Sequence, residues 1–272
     1  TQGVSSAASD VYKRQDTAII FEGAKRTYGE FAQRVRSLAG LLRGAGVCVG
    51  DRVGFLGFNQ PSFIETMFAT VSLGAIFVPL NFRLTGEELA FIIDDAGVHS
   101  LIVDPDLIPV VESVRERLPC RRFYSVHGAL DGFACLESGL SVAAPVSEIA
   151  SSSPHDTLLI MYTSGTTGLP KGAMLTHGNI VWNNVNASLA FGANKSDVLL
   201  TAAPLFHIGG LNVMTISAFQ MGSPLVLLRH FDPEAVLDAI EEHSVTHMFG
   251  APAMFLFMAC LLYTSPSPRD VE

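Results

Sequence analysis

Apolar residues recur along this chain at two spacings, one typical of helices and one typical of buried strands. Within residues 28–42 they fall three or four positions apart, which predicts an amphipathic helix that stops at Gly44. Continuous apolar runs at 53–58 and 75–80 predict strands, and Pro61 between them marks the start of a second helix. Helices and buried strands therefore alternate in the first part of the chain.

The same alternation continues to the end of the chain. Further strands are predicted at 100–103, 122–126, 158–162, 172–176, 225–228 and 245–249. Helices are predicted after the N-cap residues Thr85, Thr176 and Asp232. This order predicts an α/β fold with mixed or parallel sheets flanked by helices, and the Ser-Ser-Ser-Pro sequence within 151–156 predicts a subdomain junction.

The helix after Thr176 carries a specific expectation about its buried side. Its apolar residues Ile180, Val181, Val185 and Leu189 recur at helical spacing. We expect these four side chains to face the core.

The stretch 208–228 is apolar enough to raise the question of a membrane span. It is interrupted by Asn212, Gln220 and Pro224, whereas a span needs about 20 uninterrupted apolar residues. The pattern therefore predicts a buried helix followed by a strand and no membrane span, and leaves peripheral membrane association open.

Charge and cysteine content narrow the class of protein. The formal net charge of −9 disfavours nucleic acid as a partner, because a strong negative balance repels phosphodiester backbones. Cys48, Cys120 and Cys135 match no zinc or redox spacing, which favours reduced cysteines and a cytoplasmic location. The composition makes no prediction of oligomeric state.

Both ends of the chain share a pattern at the level of their codons. Residues 10–15 and 260–265 can be encoded by opposite strands of one short DNA sequence, read one base out of register. This pattern resembles sequencing-library adapter DNA, so we expect residues 1–15 and 260–272 to be adapter-like, non-native segments. The native sequence is then expected to be 16–259, a truncated domain.

A run of hydroxyl, glycine and lysine residues at 162–172 carries the strongest chemical signal. Glycines let the backbone approach an anion closely, and successive N–H groups, hydroxyls and an ammonium complete a phosphate-binding loop. A Walker A loop is excluded, because Pro170 and Ala173 stand where its second glycine would have to be. We therefore predict a polyphosphate site of another kind.

This loop resembles the AMP-binding signature of the acyl-adenylate-forming superfamily, which includes acyl-CoA synthetases and the adenylation domains of peptide synthetases. The residues that the resemblance assigns to ATP binding are Thr163, Ser164, Gly165, Thr166, Thr167, Gly168 and Lys171. Segments 27–31 and 73–81 also resemble family elements, and we interpret them as fold markers. The resemblance implies that residues 16–259 are the N-terminal portion of the large adenylate-forming, AMP-binding domain.

A second segment, 204–211, resembles the one that lines the acyl pocket of acyl-CoA synthetases. This resemblance assigns Phe206, His207, Gly209 and Gly210 to the substrate pocket. Amino-acid-activating members typically carry an aspartate where this chain has His207, so an apolar acid is expected, with a fatty acid first. The alternatives are an aryl-CoA ligase, a peptide-synthetase adenylation domain or, from another class, a non-catalytic nucleotide-binding domain.

The resemblance implies ATP, Mg²⁺ and coenzyme A as cofactors and a small-molecule carboxylic acid as the partner. The acid would attack the α-phosphorus of ATP to give an acyl-adenylate, and the thiol of coenzyme A would then displace AMP. The glutamate that serves Mg²⁺ in the family and its adenylation lysine have no counterpart within 16–259. We therefore predict no catalytic residue and no protein ligand to a metal here, and expect the fragment to be inactive alone.

Overall fold

The structure is a computed structural model that describes residues 14–163 and 168–264. Strands and helices alternate in it as the apolar pattern predicts. The strands are β1 (Thr17–Phe21), β2 (Ala24–Thr27), β3 (Arg52–Leu56), β4 (Ile76–Leu80), β5 (Val98–Val103), β6 (Arg122–Ser125), β7 (Ala134–Cys135), β8 (Thr157–Thr163), β9 (Lys171–Thr176), β10 (Leu199–Thr201), β11 (Leu225–Leu227) and β12 (His247–Met248). The helices are α1 (Tyr28–Gly44), α2 (Pro61–Ser72), α3 (Gly86–Ala96), α4 (Ile108–Glu112), α5 (Leu136–Val142), α6 (His177–Phe191), α7 (Ser217–Met221), α8 (Pro233–His243) and α9 (Pro252–Thr264), and a π-helix covers Gly209–Ile216.

The larger sheet has the strand order β7-β6-β5-β3-β4-β8-β9. Neighbouring strands are parallel except at one edge, where β9 runs antiparallel to β8. The chain passes from β3 to β4 on one side and then crosses back to β5 on the other. This reversal of strand order is the feature that creates a ligand-binding crevice in open α/β sheets.

The smaller sheet has the order β12-β10-β11-β1-β2. Its first strand in the chain, β1, pairs in parallel with β11, which is about 200 residues further on in sequence. Only β2 is antiparallel to its neighbour among these described strands. Mixed sheets flanked by helices confirm the predicted α/β class.

The main hydrophobic core lies between the two sheets. Phe31 and Leu38 of α1, Phe63 of α2, Phe55 of β3 and Leu225 of β11 belong to one buried cluster, which places α1 and α2 between the two layers. A second cluster covers the other face of the larger sheet, where β4 and β5 pack under α3. Burying both faces of a largely parallel sheet explains why its strands are continuous apolar runs.

Helix starts follow the capping residues that the sequence predicts. Thr85 and Glu88 form a capping box at the start of α3, and the helix ends before Gly97, whose φ of +60° suits glycine. The Thr176 side chain caps α6 by accepting from the backbone N–H of Asn179, and Asp232 caps α8. These hydrogen bonds, which are reciprocal at Thr85 and Thr176, satisfy backbone N–H groups that the first helical turn leaves unpaired.

The expectation for the buried side of α6 is wrong in part. Ile180 is buried, but Val181 and Leu189 are 53% and 79% exposed. The buried stripe passes through Ile180 and Asn184, one turn apart, and α6 packs along it against the π-helix. Apolar spacing alone did not distinguish a narrow buried stripe from a wide one.

The apolar stretch 208–228 forms the π-helix, α7 and β11, in agreement with a buried helix followed by a strand. Among the residues that the structure describes, no helix combines the length and apolar character needed to cross a bilayer. The predicted junction at 151–156 precedes β8, which pairs with β4 in the larger sheet. That junction stays a prediction.

Candidate active site

A cavity of about 600 Å³ opens where the two sheets meet. β4 contributes Leu80 and the following Asn81, and its neighbour β8 contributes Tyr162 and Thr163. The loop after β10, from the smaller sheet, contributes 206–208. All three strands present their carboxyl ends here, which is where open α/β sheets usually bind ligands.

The walls of this cavity are mostly apolar. Leu84 precedes α3, and Phe91 and Ile92 lie on it, while Met161 comes from β8 and Leu169 from the loop after β8. A concave, mostly apolar site with a few polar groups is typical of small-molecule binding, and its volume falls in the usual range of about 300–1,000 Å³. The cavity can therefore hold a largely apolar molecule.

The predicted phosphate loop is the turn of the β8–β9 hairpin. Thr163 and Lys171 are directly opposite each other in this antiparallel pair, so the two ends of the loop are adjacent. Gly168 lines the cavity with a φ of +93°, a conformation that favours glycine. The other loop residues assigned to ATP are Ser164, Gly165, Thr166 and Thr167, and they lie outside the described residues.

Lys171 is exposed at the first position of β9. Within residues 14–163 and 168–264, no carboxylate lies within salt-bridge distance of its ammonium. An ammonium without an internal counter-ion is available to an external anion. Lys171 is paired in register with Thr163, which lines the cavity.

Tyr162 is a cavity residue that ends the predicted strand 158–162 and begins the run 162–172, and the sequence assigned it no role of its own. Its hydroxyl donates a 2.5 Å hydrogen bond to Oδ2 of Asp95, on α3. Burial raises the pKa of the Tyr162 phenol, and the neighbouring Asp95 carboxylate raises it further. The phenol therefore stays protonated and links the base of the phosphate loop to α3.

Phe206 and His207 both line the cavity. The backbone N–H of His207 donates to the carbonyl of Pro204 at 3.1 Å, and the Nδ1 atom of its ring accepts from the backbone N–H of Gly209 at 3.3 Å. A neutral His207 ring consequently carries its proton on Nε2. The imidazole is thereby oriented by its own loop and keeps one polar donor at the cavity.

Gly209 and Gly210 are buried and are not among the residues that line the cavity. A Cβ on Gly210 would lie 2.3 Å from the carbonyl oxygen of Pro204, and one on Gly209 would lie 2.5 Å from the ring of Phe249. Close packing therefore accounts for both glycines, against backbone carbonyls at Gly210 and against an aromatic ring at Gly209. They shape the loop that carries Phe206 and His207, and their predicted contact with substrate stays a prediction.

Two glutamates also line the cavity, and both are already held by local partners. Glu87 forms an ion pair with Arg117 at 2.5 Å, which lowers the pKa of its carboxyl group. The Glu88 carboxylate accepts hydrogen bonds from the backbone N–H and from the hydroxyl of Thr85 in the α3 capping box. These bonds lower the pKa of Glu88. Both carboxylates are ionised at neutral pH, and their charge is partly offset before any ligand arrives.

Among the residues that the structure describes, no group of three or more His, Cys, Asp or Glu residues has an arrangement that could hold a metal ion. Thr163 and Lys171 fit the phosphates of a nucleotide, and a nucleotide's own phosphate oxygens can hold Mg²⁺.

The sequence and the fold match one known class of protein. A family model for AMP-binding enzymes matches residues 7–269. The chain belongs to this family. Its curated relatives include acyl- and aryl-CoA ligases, and the sheets match the N-terminal domain of adenylate-forming enzymes.

Three curated relatives show the range of acids within the family. The chain is 39% identical to a feruloyl-CoA synthase of Amycolatopsis sp over 252 residues, covering 89% of this chain and 47% of the relative. It is 37% identical to an indoleacetate–CoA ligase of Aromatoleum aromaticum, with coverage of 89% and 48%. It is 34% identical to a long-chain-fatty-acid–CoA ligase of Thermus thermophilus, with coverage of 86% and 44%.

Solved structures agree with this assignment. The ATP-bound MatB from Rhodopseudomonas palustris superposes with a TM-score of 0.81 at 28% identity, covering 94% of this chain and 49% of that one. The chain thus spans about half the length of the curated relatives it matches.

Proposed function

We propose that the whole protein is an acid–thiol ligase that converts an apolar carboxylic acid to its acyl-adenylate and then to its CoA thioester. The observation that supports this most is the position of the β8–β9 hairpin. The hairpin pairs Thr163, which lines the mostly apolar cavity, directly with Lys171, and no described carboxylate lies within ion-pair distance of the Lys171 ammonium. Such a site can hold a polyphosphate next to a carbon-rich acid.

In the first half-reaction, an oxygen of the acid's carboxylate attacks the α-phosphorus of ATP. The bond from that phosphorus to the bridging oxygen breaks, and pyrophosphate leaves with the electron pair. Negative charge builds on the leaving group. Lys171 and the hydroxyl of Thr163 would stabilise it, together with the hydroxyls of Ser164, Thr166 and Thr167 that the sequence assigns to ATP. Lys171 acts as a fixed positive charge, and Gly168 lets the backbone approach the phosphates.

In the second half-reaction, the thiol of coenzyme A attacks the acyl carbon. A carbon–sulfur bond forms, the carbon–oxygen bond to AMP breaks, and the thiol proton passes to solvent. Mg²⁺ would accompany ATP and offset the charge of its phosphates. The described residues contribute orientation and charge stabilisation in both steps, and no proton transfer is assigned to them.

We place an aryl or arylalkyl acid first as the substrate and a fatty acid second. The relatives named for aromatic acids are 39% and 37% identical to this chain, against 34% for the long-chain fatty-acid ligase. The cavity presents the rings of Phe91 and Phe206, which favour edge-to-face contact with an aromatic ligand. This ranking reverses the expectation from the sequence, which placed a fatty acid first.

Acid-dependent exchange of pyrophosphate into ATP tests this proposal in the whole protein. Ferulate, indoleacetate and a long-chain fatty acid would each be offered with Mg²⁺, followed by coenzyme A to detect the thioester. We expect exchange with the aromatic acids first. Exchange with an amino acid alone would instead favour a peptide-synthetase adenylation domain. ATP binding without exchange for any acid would favour a non-catalytic nucleotide-binding domain.

A further inference from the structure

Asn59 connects the loop that carries Phe206 and His207 to both sheets. It lies in the loop after β3 and is only 2% exposed. Its Nδ2 donates to the carbonyl oxygens of Ala203 and Leu228, each at 3.0 Å. Its Oδ1 accepts from the backbone N–H of Leu205 at 2.8 Å. One carboxamide from the larger sheet thus pairs with three backbone groups after β10 and β11 of the smaller sheet.

These three partners leave little freedom to the loop. Leu205 directly precedes Phe206 and is 1% exposed, and Ala203 is 8% exposed. Water therefore cannot easily replace the carboxamide, and a buried donor or acceptor without a partner is costly. A smaller side chain at position 59 must either leave these groups unpaired or let the loop move.

Aromatic contacts connect the same loop after β3 to the cavity wall. The rings of Phe58 and Phe82 are 4.7 Å apart, and the ring of Phe82 meets that of Phe206 edge-on at 5.3 Å. Phe58 precedes Asn59 in the chain. The loop after β3 therefore holds Phe206 through its backbone and also through its ring.

We propose that Asn59 is a positioning residue that fixes Phe206 and His207 against the acid and so determines which acids bind well. This inference rests on the proposed function, because it takes the cavity beside Phe206 as the acid site. Asn59 itself lies outside the cavity and touches no reacting atom. Its effect passes through the positions of Phe206 and His207.

The test uses Asn59→Ala and the milder Asn59→Ser, whose hydroxyl can keep one partner. Asn184→Ala is the matched control, since Asn184 is also 2% exposed and its Oδ1 accepts from the Ser217 hydroxyl at 3.4 Å, away from the loop 203–207. KM and kcat are measured by pyrophosphate exchange in the whole protein with an arylpropenoic acid. We expect the KM for the acid to rise about tenfold in Asn59→Ala and by less in Asn59→Ser, with the KM for ATP changing less than about twofold. Asn184→Ala should change neither the KM for the acid nor the KM for ATP.

Unchanged KM values for both the acid and ATP in the two Asn59 variants would overturn the inference. Equal rises in these two KM values would also overturn it. If the wild type shows no acid-dependent exchange, the proposed function fails, and amide hydrogen exchange on the 272-residue chain decides about Asn59 alone. Asn59→Ala should then speed exchange of 203–208 about tenfold while leaving 158–163 unchanged. Equal protection of 203–208 in the two proteins would refute the positioning role.

Discussion

Replacing Gly210 by alanine should destabilise the chain, whereas the same replacement at Gly44 should stabilise it. A Cβ on Gly210 would lie 2.3 Å from the carbonyl oxygen of Pro204 and 2.7 Å from that of Ala203, while ordinary contact begins at 3.4 Å. The two carbonyls must therefore move by roughly 1 Å, and overpacking of this kind costs about 1–3 kcal/mol. The Ala203 carbonyl also accepts from Asn59, so its displacement weakens a buried hydrogen bond worth about 1 kcal/mol.

The expected loss for Gly210→Ala is therefore about 3 kcal/mol in the free energy of unfolding. A Cβ on Gly44 would meet no atom within 4 Å, and that residue has a helical conformation at the end of α1, so Gly44→Ala should gain about 0.5–1 kcal/mol. Urea unfolding of the 272-residue chain, with the slope compared between variants, measures both values. Equal stability of the two variants would refute the view that close packing requires glycine at position 210.

Further predictions concern the α6 surface, Tyr162 and Lys171. Ile180→Ala should cost about 2–4 kcal/mol in urea unfolding, while Leu189→Ala should stay within about 0.5 kcal/mol because its side chain is exposed. The folded-state pKa of Tyr162 is raised, so the wild type should lose stability as the pH rises above about 10, where an unfolded tyrosine ionises, and Tyr162→Phe should lose less over the same range. Tyr162→Phe also removes the hydrogen bond to Asp95. If this variant lost stability more steeply with rising pH than the wild type, the assignment of a raised pKa to Tyr162 would be contradicted. Lys171→Ala should weaken ATP binding to this chain by about tenfold or more in calorimetry, and unchanged affinity would remove Lys171 from the site.

Local signals in the sequence predicted much of the fold. The Thr85 and Glu88 pair predicted the start of α3 because a capping box is formed by residues three positions apart. The two strands of the β8–β9 hairpin were also predicted, at 158–162 and 172–176, on either side of a loop rich in glycine. Such features depend on neighbours in the chain, and the sequence contains them directly.

The cavity could be predicted only in part, because distant segments form it. Strand order in the larger sheet places β8 beside β4, although β5, β6 and β7 lie between them in the sequence. Leu80, Asn81 and Tyr162 therefore meet at one cavity, and no local pattern connects them. Leu80 and Asn81 were interpreted only as fold markers. Their positions at the end of a buried strand and directly after it were the one available signal.

Gly209 and Gly210 illustrate a different limit. Their motif placed them beside a substrate, and the structure gives a packing reason for both residues. A glycine can be required by a ligand or by a neighbouring backbone, and the sequence does not distinguish these causes. Asn59 is the converse case, since a single polar residue after a strand gave no sign that it would pair with three distant backbone groups.

Acid-dependent pyrophosphate exchange in the whole protein, compared between the wild type and Lys171→Ala, tests the proposed site most directly. We expect exchange that requires both ATP and an aromatic acid, and a decrease of about tenfold or more without the Lys171 ammonium. Exchange at the wild-type rate in Lys171→Ala, or exchange that needs no acid, would contradict the claim that the β8–β9 hairpin holds a polyphosphate beside the acid.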